Sequence, residues 1–210
     1  CDYTEVHYTC HDCHDTGYID TKMCRCLREA LIRENLKSSG IGNLIETQSF
    51  DNFDLSHYRE SEEDFRRMTQ NFEAAKSYAE NFPAKRGNLL LIGPTGTGKT
   101  HISTAIAKTV ISQGFDVLYD SIQNILSAFE YDRFRAGYGQ EEPTAKKYLD
   151  VTLLVIDDLG TEFTNAFTVS VLYNLLNERA NRGLSTVIST NLSVKKLTEI
   201  YEDRIYSRMI

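Results

Sequence analysis

Eight consecutive residues in the middle of the chain have the spacing of a phosphate-binding loop. They match the pattern G-x-x-x-x-G-K-[S/T] at every position. Glycines let the backbone amides curl around phosphate groups, and a following helix adds a partial positive charge at its N-terminus. We expect Lys99 to reach the β- and γ-phosphates of a nucleotide and the Thr100 hydroxyl to bind Mg²⁺. The eight residues are Gly93, Pro94, Thr95, Gly96, Thr97, Gly98, Lys99 and Thr100.

Two adjacent acids follow a second apolar segment. The run 151–156 (VTLLVI) has the length of a buried strand and leads directly into Asp157 and Asp158. Acids at the carboxyl end of a parallel strand point into the crevice where a ligand binds. Asp157 is therefore the expected carboxylate on the Mg²⁺ side, and Asp158 the group that polarises an attacking water. A strand-terminating turn would also explain Asp-Asp-Leu-Gly.

Polar groups near the end of the chain could complete such a site. Asn191 follows the apolar run 186–189 and could hydrogen-bond a γ-phosphate or orient water, although Asn191 or Ser193 could equally cap a helix. Arg204 and Arg208 lie four residues apart on one face of an amphipathic segment, 201–210. They are either surface arginines, or one of them reaches a neighbouring subunit's nucleotide as an arginine finger.

A different chemistry is concentrated at the front of the chain. All five cysteines lie within the first 26 residues, and four of them form two close pairs separated by ten residues. Four thiolates with this spacing suit a structural Zn²⁺ site, with disulfides or free thiols as the alternatives. Cys1 is left over, and His7, His11 and His14 are expected at the surface. The four predicted ligands are Cys10, Cys13, Cys24 and Cys26.

The segments between these residues alternate between strand and helix. Apolar runs at 88–92, 115–119, 151–156 and 186–189 predict strands, and helical periodicity follows or separates them. This βαβ alternation predicts an α/β fold with an open parallel sheet flanked by helices. The expected helices cover 27–37, 60–81, the segment after the phosphate loop, 121–136 and 166–182. Residues 40–58 are expected to form an ordered linker whose aromatics dock on the next domain.

The totals exclude several classes of protein. The chain has 210 residues and a formal net charge of −7, which argues against a protein that coats nucleic acid through bulk charge. No apolar run approaches the roughly 20 residues needed to cross a bilayer. No secretory signal opens the sequence, so a cytoplasmic location is expected. Because the chain does not begin with Met, the N-terminus is expected to be trimmed.

Taken together, the motifs resemble a known family. GPTGTGKTH, LLVIDDLG, VISTNL and DRIYSRM occur in this order and are similar to the AAA+ ATPases of bacterial replicative-helicase loaders of the DnaC/DnaI type. The initiator DnaA and the transposition helper IstB are relatives of these loaders. The resemblance covers about residues 45–210, and CHDC…CRC is similar to the zinc-binding N-terminal part of DnaI-like loaders. It implies a P-loop AAA+ core at 41–210, incomplete at its C-terminus, behind a small zinc-binding, helicase-interaction module and linker helix at 1–40.

The resemblance also implies roles for individual residues. The nucleotide-binding segment would run from Gly93 to His101, with Asp157 and Asp158 as Walker B and Asn191 as sensor 1. The arginine finger would be Arg208, with Arg204 as the second choice. Where many of these proteins carry Glu as the second acid, this chain has Asp158. Helix 121–136 would belong to the region that contacts single-stranded DNA, with an ordinary surface helix as the alternative. Its cations and stacking groups are Arg133, Phe134, Arg135 and the nearby Tyr138.

The function implied is ATP-dependent loading of a hexameric replicative helicase onto single-stranded DNA. The cofactors implied are ATP or ADP, Mg²⁺ and Zn²⁺, and subunits would assemble through their ATP sites. An IstB-like transposition helper or a DnaA-like initiator is the alternative within the same fold. A small-molecule P-loop kinase is disfavoured because the two acids, the amide and the terminal arginines suit attack by water. A zinc-anchored adaptor that binds nucleotide without hydrolysing it is the fourth hypothesis.

Overall fold

The structure is a computed structural model that describes residues 8–84, 87–135 and 142–210. Cys1, His7 and Tyr138, which the sequence analysis singled out, lie outside the described residues. Two short antiparallel strands, β1 (Tyr18–Ile19) and β2 (Lys22–Met23), form a hairpin at the front. Helix α1 (Arg25–Ser38) follows directly, so it begins two residues before the predicted helix and contains Cys26.

The main sheet has four parallel strands in the described part of the chain. They are β3 (Leu89–Ile92), β4 (Val117–Ser121), β5 (Leu153–Leu159) and β6 (Ser185–Thr190), arranged in the order β3-β6-β5-β4. Since every neighbouring pair in this sheet is parallel, all four carboxyl ends lie along the same edge. The predicted α/β fold with a parallel sheet is confirmed.

Helices cover both faces of this sheet. One apolar cluster packs α3 (Glu62–Glu80) and α4 (Lys99–Ser112) against one face. A second cluster packs four helices against the other face, α5 (Ile122–Arg135), α6 (Lys146–Asp150), α7 (Ala166–Asn181) and α8 (Val194–Met209). Residues 48–58 contain two short 3₁₀ turns, Phe50–Asn52 and Leu55–Tyr58. The short helix α2 (Leu44–Thr47) comes just before these turns.

Two predicted strands, 115–119 and 151–156, differ from the observed strands by two or three residues at each end. β4 begins at Val117 rather than at 115, because Phe115 packs as a ring against Phe82 at the turn before the strand. β5 does not stop at residue 156 but continues through both acids to Leu159. A shift in its pairing with β6 between Ile156 and Leu159 accommodates the two acids as a bulge.

The amino end of the sheet is held by a buried arginine. The side chain of Arg179, on α7, is fully buried and donates hydrogen bonds to the carbonyls of Tyr148, Val151 and Ser185 at 2.6–2.9 Å and to the Thr186 hydroxyl at 3.0 Å. One side chain thereby joins α6, α7, β6 and the start of β5. In the described part of the chain, no helix is both long and apolar enough to cross a membrane.

Candidate functional site

The phosphate loop connects β3 to α4 and leaves amide groups available at the helix start. Gly96 and Gly98 have φ angles of 82° and 71°, which favour glycine, and Gly98 is the N-cap of α4 without a side-chain capping bond. The amides of the first helical turn are therefore free of a side-chain acceptor and can bind an anion. Lys99 Nζ lies 2.8 Å from the carbonyls of both Gly93 and Pro94, which holds the ammonium group inside the loop. These features fit a bound phosphate.

The linker before α3 packs directly on this loop. A Cβ atom at Gly98 would lie 2.7 Å from Phe53 Cε2, so only glycine permits this approach. His101 Nε2 lies 2.9 Å from the Ser49 carbonyl oxygen and 3.0 Å from Asn52 Oδ1, and its ring meets Phe53 edge-on at 5.0 Å. The His101 side chain therefore contacts the linker, and any contact with a phosphate would come from its backbone amide.

Oxygen atoms from two elements meet beside the loop. Thr100 Oγ1 lies 3.5 Å from Asp157 Oδ2, and Asp157 is only 9% exposed. A hydroxyl and a carboxylate in this arrangement fit Mg²⁺, which binds one or two protein oxygens together with phosphate and water. Asp158 is exposed and has a φ angle of 56°, which turns its side chain out of the bulge towards solvent.

Hydrogen bonds fix the orientation of the Asp157 carboxylate. The Tyr119 hydroxyl donates to Oδ2 at 2.6 Å, and the Ser189 hydroxyl donates to Oδ1. Ser189 Oγ also accepts the amide hydrogen of Asp158 at 3.0 Å. Burial and the neighbouring Asp157 raise the pKa of Tyr119, so its hydroxyl stays protonated as a donor at neutral pH. Sequence reasoning missed Tyr119, in the middle of β4, and Ser189, the last but one residue of β6. The position of Ser189 near the carboxyl end of its strand could have suggested it.

The tip of β6 lies next to the start of the loop. The Gly93 amide donates to the Thr190 carbonyl at 3.2 Å, which brings the following residue, Asn191, to the loop. The hydroxyl of Ser193 accepts from the Lys196 amide and caps α8. Because Ser193 is the N-cap, the capping alternative for Asn191 does not apply, and Asn191 is exposed.

A cavity of about 730 Å³ opens beside the phosphate loop. It lies between α3 and β3, an end strand of the sheet among the described residues, and its lining includes Gly93, Pro94, Thr97 and Lys99. Ligand pockets for small molecules and cofactors usually measure about 300–1,000 Å³, and the volume of this cavity lies within that range.

The two terminal arginines share one aromatic partner, Tyr173 on α7. Their guanidinium groups stand over the Tyr173 ring, with centroid distances of 5.1 Å for Arg204 and 4.9 Å for Arg208. Asn88 Nδ2 donates to the Arg208 carbonyl at 2.5 Å, and Asn88 precedes β3. Since the loop follows the carboxyl end of β3, Arg208 lies at the opposite end of the sheet.

The four predicted zinc ligands converge at the front of the chain. All four sulfur atoms lie within 4.8 Å of one another. Cys10 Sγ and Cys24 Sγ are 3.8 Å apart, and Cys13 Sγ and Cys26 Sγ are 3.4 Å apart. Tetrahedral Zn²⁺ with Zn–S bonds of about 2.3 Å requires sulfur separations of about 3.8 Å. Hydrogen bonding with the Cys13 and Cys10 sulfurs raises the pKa of the Cys26 thiol. The cluster fits Zn²⁺.

Comparison with known proteins decides the family. The profile of the family described as "IstB-like ATP binding protein" matches residues 26–210, which is most of the chain. The chain belongs to this family.

Relatives of this IstB-like chain include proteins of DNA replication. The replicative helicase loader DnaC of Escherichia coli K12 is 26% identical over 182 residues, which cover 87% of this chain and 71% of DnaC. A crystal structure of DnaI superposes with a TM-score of 0.61 at 20% identity, covering 80% of this chain and 85% of that one. Domain III of the Thermotoga maritima initiator DnaA gives 0.63 at 23% identity, covering 80% and 64%. The expected AAA+ fold is confirmed.

The predicted DNA-contacting region of this family member is only partly described. Phe134, on α5, is 73% exposed. Arg133 stands over the Phe167 ring at 5.1 Å, and Arg135 over the Tyr131 ring at 5.2 Å. Helix α5 thus presents cations and aromatic faces at its C-terminal end.

Proposed function

We propose that this chain is an ATP-dependent loader that places a hexameric replicative helicase onto single-stranded DNA. One observation carries the proposal: an ATP-binding core 26% identical to DnaC is joined through α1 to a cluster of four cysteines. A structural Cys₄ site has no open coordination position, so this module suits binding to a partner rather than catalysis.

The nucleotide would lie along the phosphate loop with its base in the adjoining cavity. Amides of Gly93–His101 would bind the phosphates, and the Lys99 ammonium would turn from the loop carbonyls to the β- and γ-phosphates. Thr100 and Asp157 would hold Mg²⁺, which when bound neutralises charge on the phosphates. Asp158 would orient and polarise the attacking water, and Asn191 would hydrogen-bond the γ-phosphate.

Hydrolysis would require two copies of the chain. Because Arg208 lies at the opposite end of β3 from its own phosphate loop, it could reach only the nucleotide of a neighbour. Head-to-tail stacking of subunits would bring Arg208, or Arg204 as the second choice, to that nucleotide. Self-assembly through the ATP sites would then couple hydrolysis to contacts with the helicase.

We assign the two proposed partners to two parts of the chain. Residues 1–40, with Zn²⁺ held by Cys10, Cys13, Cys24 and Cys26, would bind the helicase. Residues 41–210 would bind ATP. The end of α5, with Arg133, Phe134, Arg135 and the neighbouring Tyr138, would contact single-stranded DNA through charge and stacking.

A second candidate is an ATPase that assists transposition. The description of the matching family as IstB-like favours it. In that role the same ATP site would act on a transposase complex, with no requirement for a replicative helicase. A DnaA-like initiator, supported by fold likeness alone, would instead bind origin DNA.

The test is ATP turnover by the full chain with and without single-stranded DNA and the hexameric replicative helicase of the same organism. The loader predicts co-elution with the helicase and a change in turnover when both partners are present. Cys13→Ser should abolish co-elution while nucleotide binding persists, and Lys99→Ala should abolish nucleotide binding. If the zinc-loaded chain does not bind the helicase, the transposition candidate replaces the loader.

A further inference from the structure

Tyr119 contacts the candidate metal site with its hydroxyl group, and its backbone contacts Ser39–Ile41, the start of the linker after α1. Its hydroxyl donates to Asp157 Oδ2 at 2.6 Å and lies 3.3 Å from Ser103 Oγ on α4. Its ring is 7% exposed and packs in the apolar cluster between α4 and the sheet. Asp157 Oδ2 is the same oxygen that faces Thr100. The hydroxyl therefore fixes the carboxylate oxygen closest to the phosphate loop.

The backbone of Tyr119 is held by the linker that leaves α1. β4 is the end strand of the sheet, and the Tyr119 amide points away from β5 and donates to the Ser39 carbonyl at 2.6 Å. Gly40 approaches so closely that a Cβ atom there would lie 2.3 Å from the Tyr119 carbonyl oxygen. Ile41, 4% exposed, packs in the same cluster as the Tyr119 ring.

The linker is in turn continuous with the cysteine cluster. The Ser39 hydroxyl donates to the Leu36 carbonyl at 2.8 Å, which secures it to the last turn of α1. Cys24 is the N-cap of α1, and Cys26 lies in its first turn. The cysteine cluster and Ser39 thus stand at the two ends of a single 14-residue helix.

We propose that Tyr119 is a positioning residue for Asp157 and that the Ser39–Ile41 linker, through Tyr119, sets the geometry of the metal site. The inference rests on the proposed Mg²⁺–nucleotide site. A carboxylate oxygen carries two lone pairs. The Tyr119 hydroxyl bonds one lone pair of Asp157 Oδ2 and so fixes the orientation of the carboxylate, while the second lone pair stays available to the metal. A displacement of α1 by a partner on the cysteine module would move Ser39, and Tyr119 would carry that movement to Asp157.

The first test measures metal affinity without turnover. Mn²⁺ binding to the full chain saturated with ADP is followed by electron paramagnetic resonance. Tyr119→Phe keeps the buried ring and removes only the hydroxyl, and we expect Mn²⁺ affinity to fall about tenfold or more. ADP affinity without metal should not change. Tyr148→Phe is the matched control, because that hydroxyl donates at 2.8 Å to Asp120, an acid outside the metal site.

The second test is a double-mutant cycle. Gly40→Ala should displace the linker from Tyr119 and lower Mn²⁺ affinity. Gly42→Ala is the control, because Gly42 also has a positive φ (59°, against 78° at Gly40) but a Cβ atom there would meet no atom within 4 Å. If the linker acts through the hydroxyl, Gly40→Ala has no further effect in the Tyr119→Phe background. Should Gly40→Ala fail to fold, Ile41→Val takes its place, because it loosens the packing of the linker in the apolar cluster that holds the Tyr119 ring.

The outcomes distinguish a failure of the proposed metal–nucleotide site from a failure of the proposed role of Tyr119. If the wild-type chain with ADP does not bind Mn²⁺, the proposed function itself fails. If it binds and Tyr119→Phe binds equally well, Tyr119 is not a positioning residue. If Gly40→Ala lowers the affinity by the same factor with and without the hydroxyl, the linker does not act through Tyr119.

Discussion

Thr100 and Asp157 face each other beside the phosphate loop, with Thr100 Oγ1 3.5 Å from Asp157 Oδ2. They come from the start of α4 and the end of β5, 57 residues apart, and no local sequence signal joins them. The parallel sheet brings them together because the carboxyl ends of β3 and β5 lie along one edge with β6 between them. The proposed metal site depends on this relationship.

Substitutions of the adjacent acids Asp157 and Asp158 should have different effects on nucleotide binding and hydrolysis. Asp158→Asn is expected to lower kcat at least about 100-fold with little change in nucleotide affinity, because it removes the base but no ligand. Asp157→Asn should instead weaken Mg²⁺-dependent nucleotide binding. Steady-state turnover and fluorescent-nucleotide titration with and without Mg²⁺ distinguish the two, and the surface variant Asp150→Asn serves as the control. Equal effects of both substitutions on binding would refute the assignment.

The cysteine cluster should bind one zinc ion per chain. Cys13→Ser is expected to lose the metal, because its buried sulfur supplies one of four ligands, while His11→Ala, an exposed neighbour, should retain it. Metal content by mass spectrometry and zinc release to a dye measure this directly. Chelation should remove structure at the front of the chain and leave the thermal transition of the ATP-binding part unchanged. A chain that stays fully folded at its front without metal would contradict the Cys₄ site.

The sequence predicts this molecule best where local patterns are strong. The loop at Gly93–Thr100 is recognisable because it follows an apolar run and precedes a helix. The spacing of the cysteines is enough to predict that four sulfur atoms lie close together. The strand order and the bulge at Asp158 depend on tertiary packing, which leaves no periodic signal. The hydrogen bond between Tyr119 and Asp157 joins residues 38 positions apart, and no sequence pattern predicts it. The sequence shows that Asp158 closely follows an apolar run, but the direction of its side chain depends on the bulge in β5.

The arginine finger should act between subunits. Arg208→Ala is expected to lower kcat about 10³-fold without loss of nucleotide binding, the lower end for such arginines. Mixing Arg208→Ala chains with Asp158→Asn chains should restore part of the turnover, because an intact site then meets an intact arginine at some interfaces. The same mixture with Arg204→Ala identifies which arginine acts. Absence of restored turnover with both arginine variants, under conditions where the chains assemble, would exclude action in trans.

The buried Arg179 should matter for stability and not for chemistry. Arg179→Met leaves three carbonyls without their donor, and we expect the free energy of unfolding to fall by about 2–4 kcal/mol. Arg182→Met is the matched control, because Arg182 lies just after α7 and pairs with Asp150 at the exposed surface, where such pairs contribute about 0–1 kcal/mol. Urea unfolding gives both values. Equal decreases in the free energy of unfolding for the two variants would show that the buried hydrogen bonds of Arg179 contribute no more to stability than the exposed ion pair of Arg182.

The most direct test of the account is equilibrium binding of a fluorescent ATP analogue to Lys99→Ala. Lys99 is the one cation within the loop, held 2.8 Å from two of its carbonyls, and its loss should weaken binding at least about 100-fold while the fold is retained. The exposed variant Lys196→Ala should bind as the wild type does. Unchanged affinity in folded Lys99→Ala would contradict the assignment of Gly93–Thr100 as the nucleotide site and, with it, the proposed ATP-dependent function.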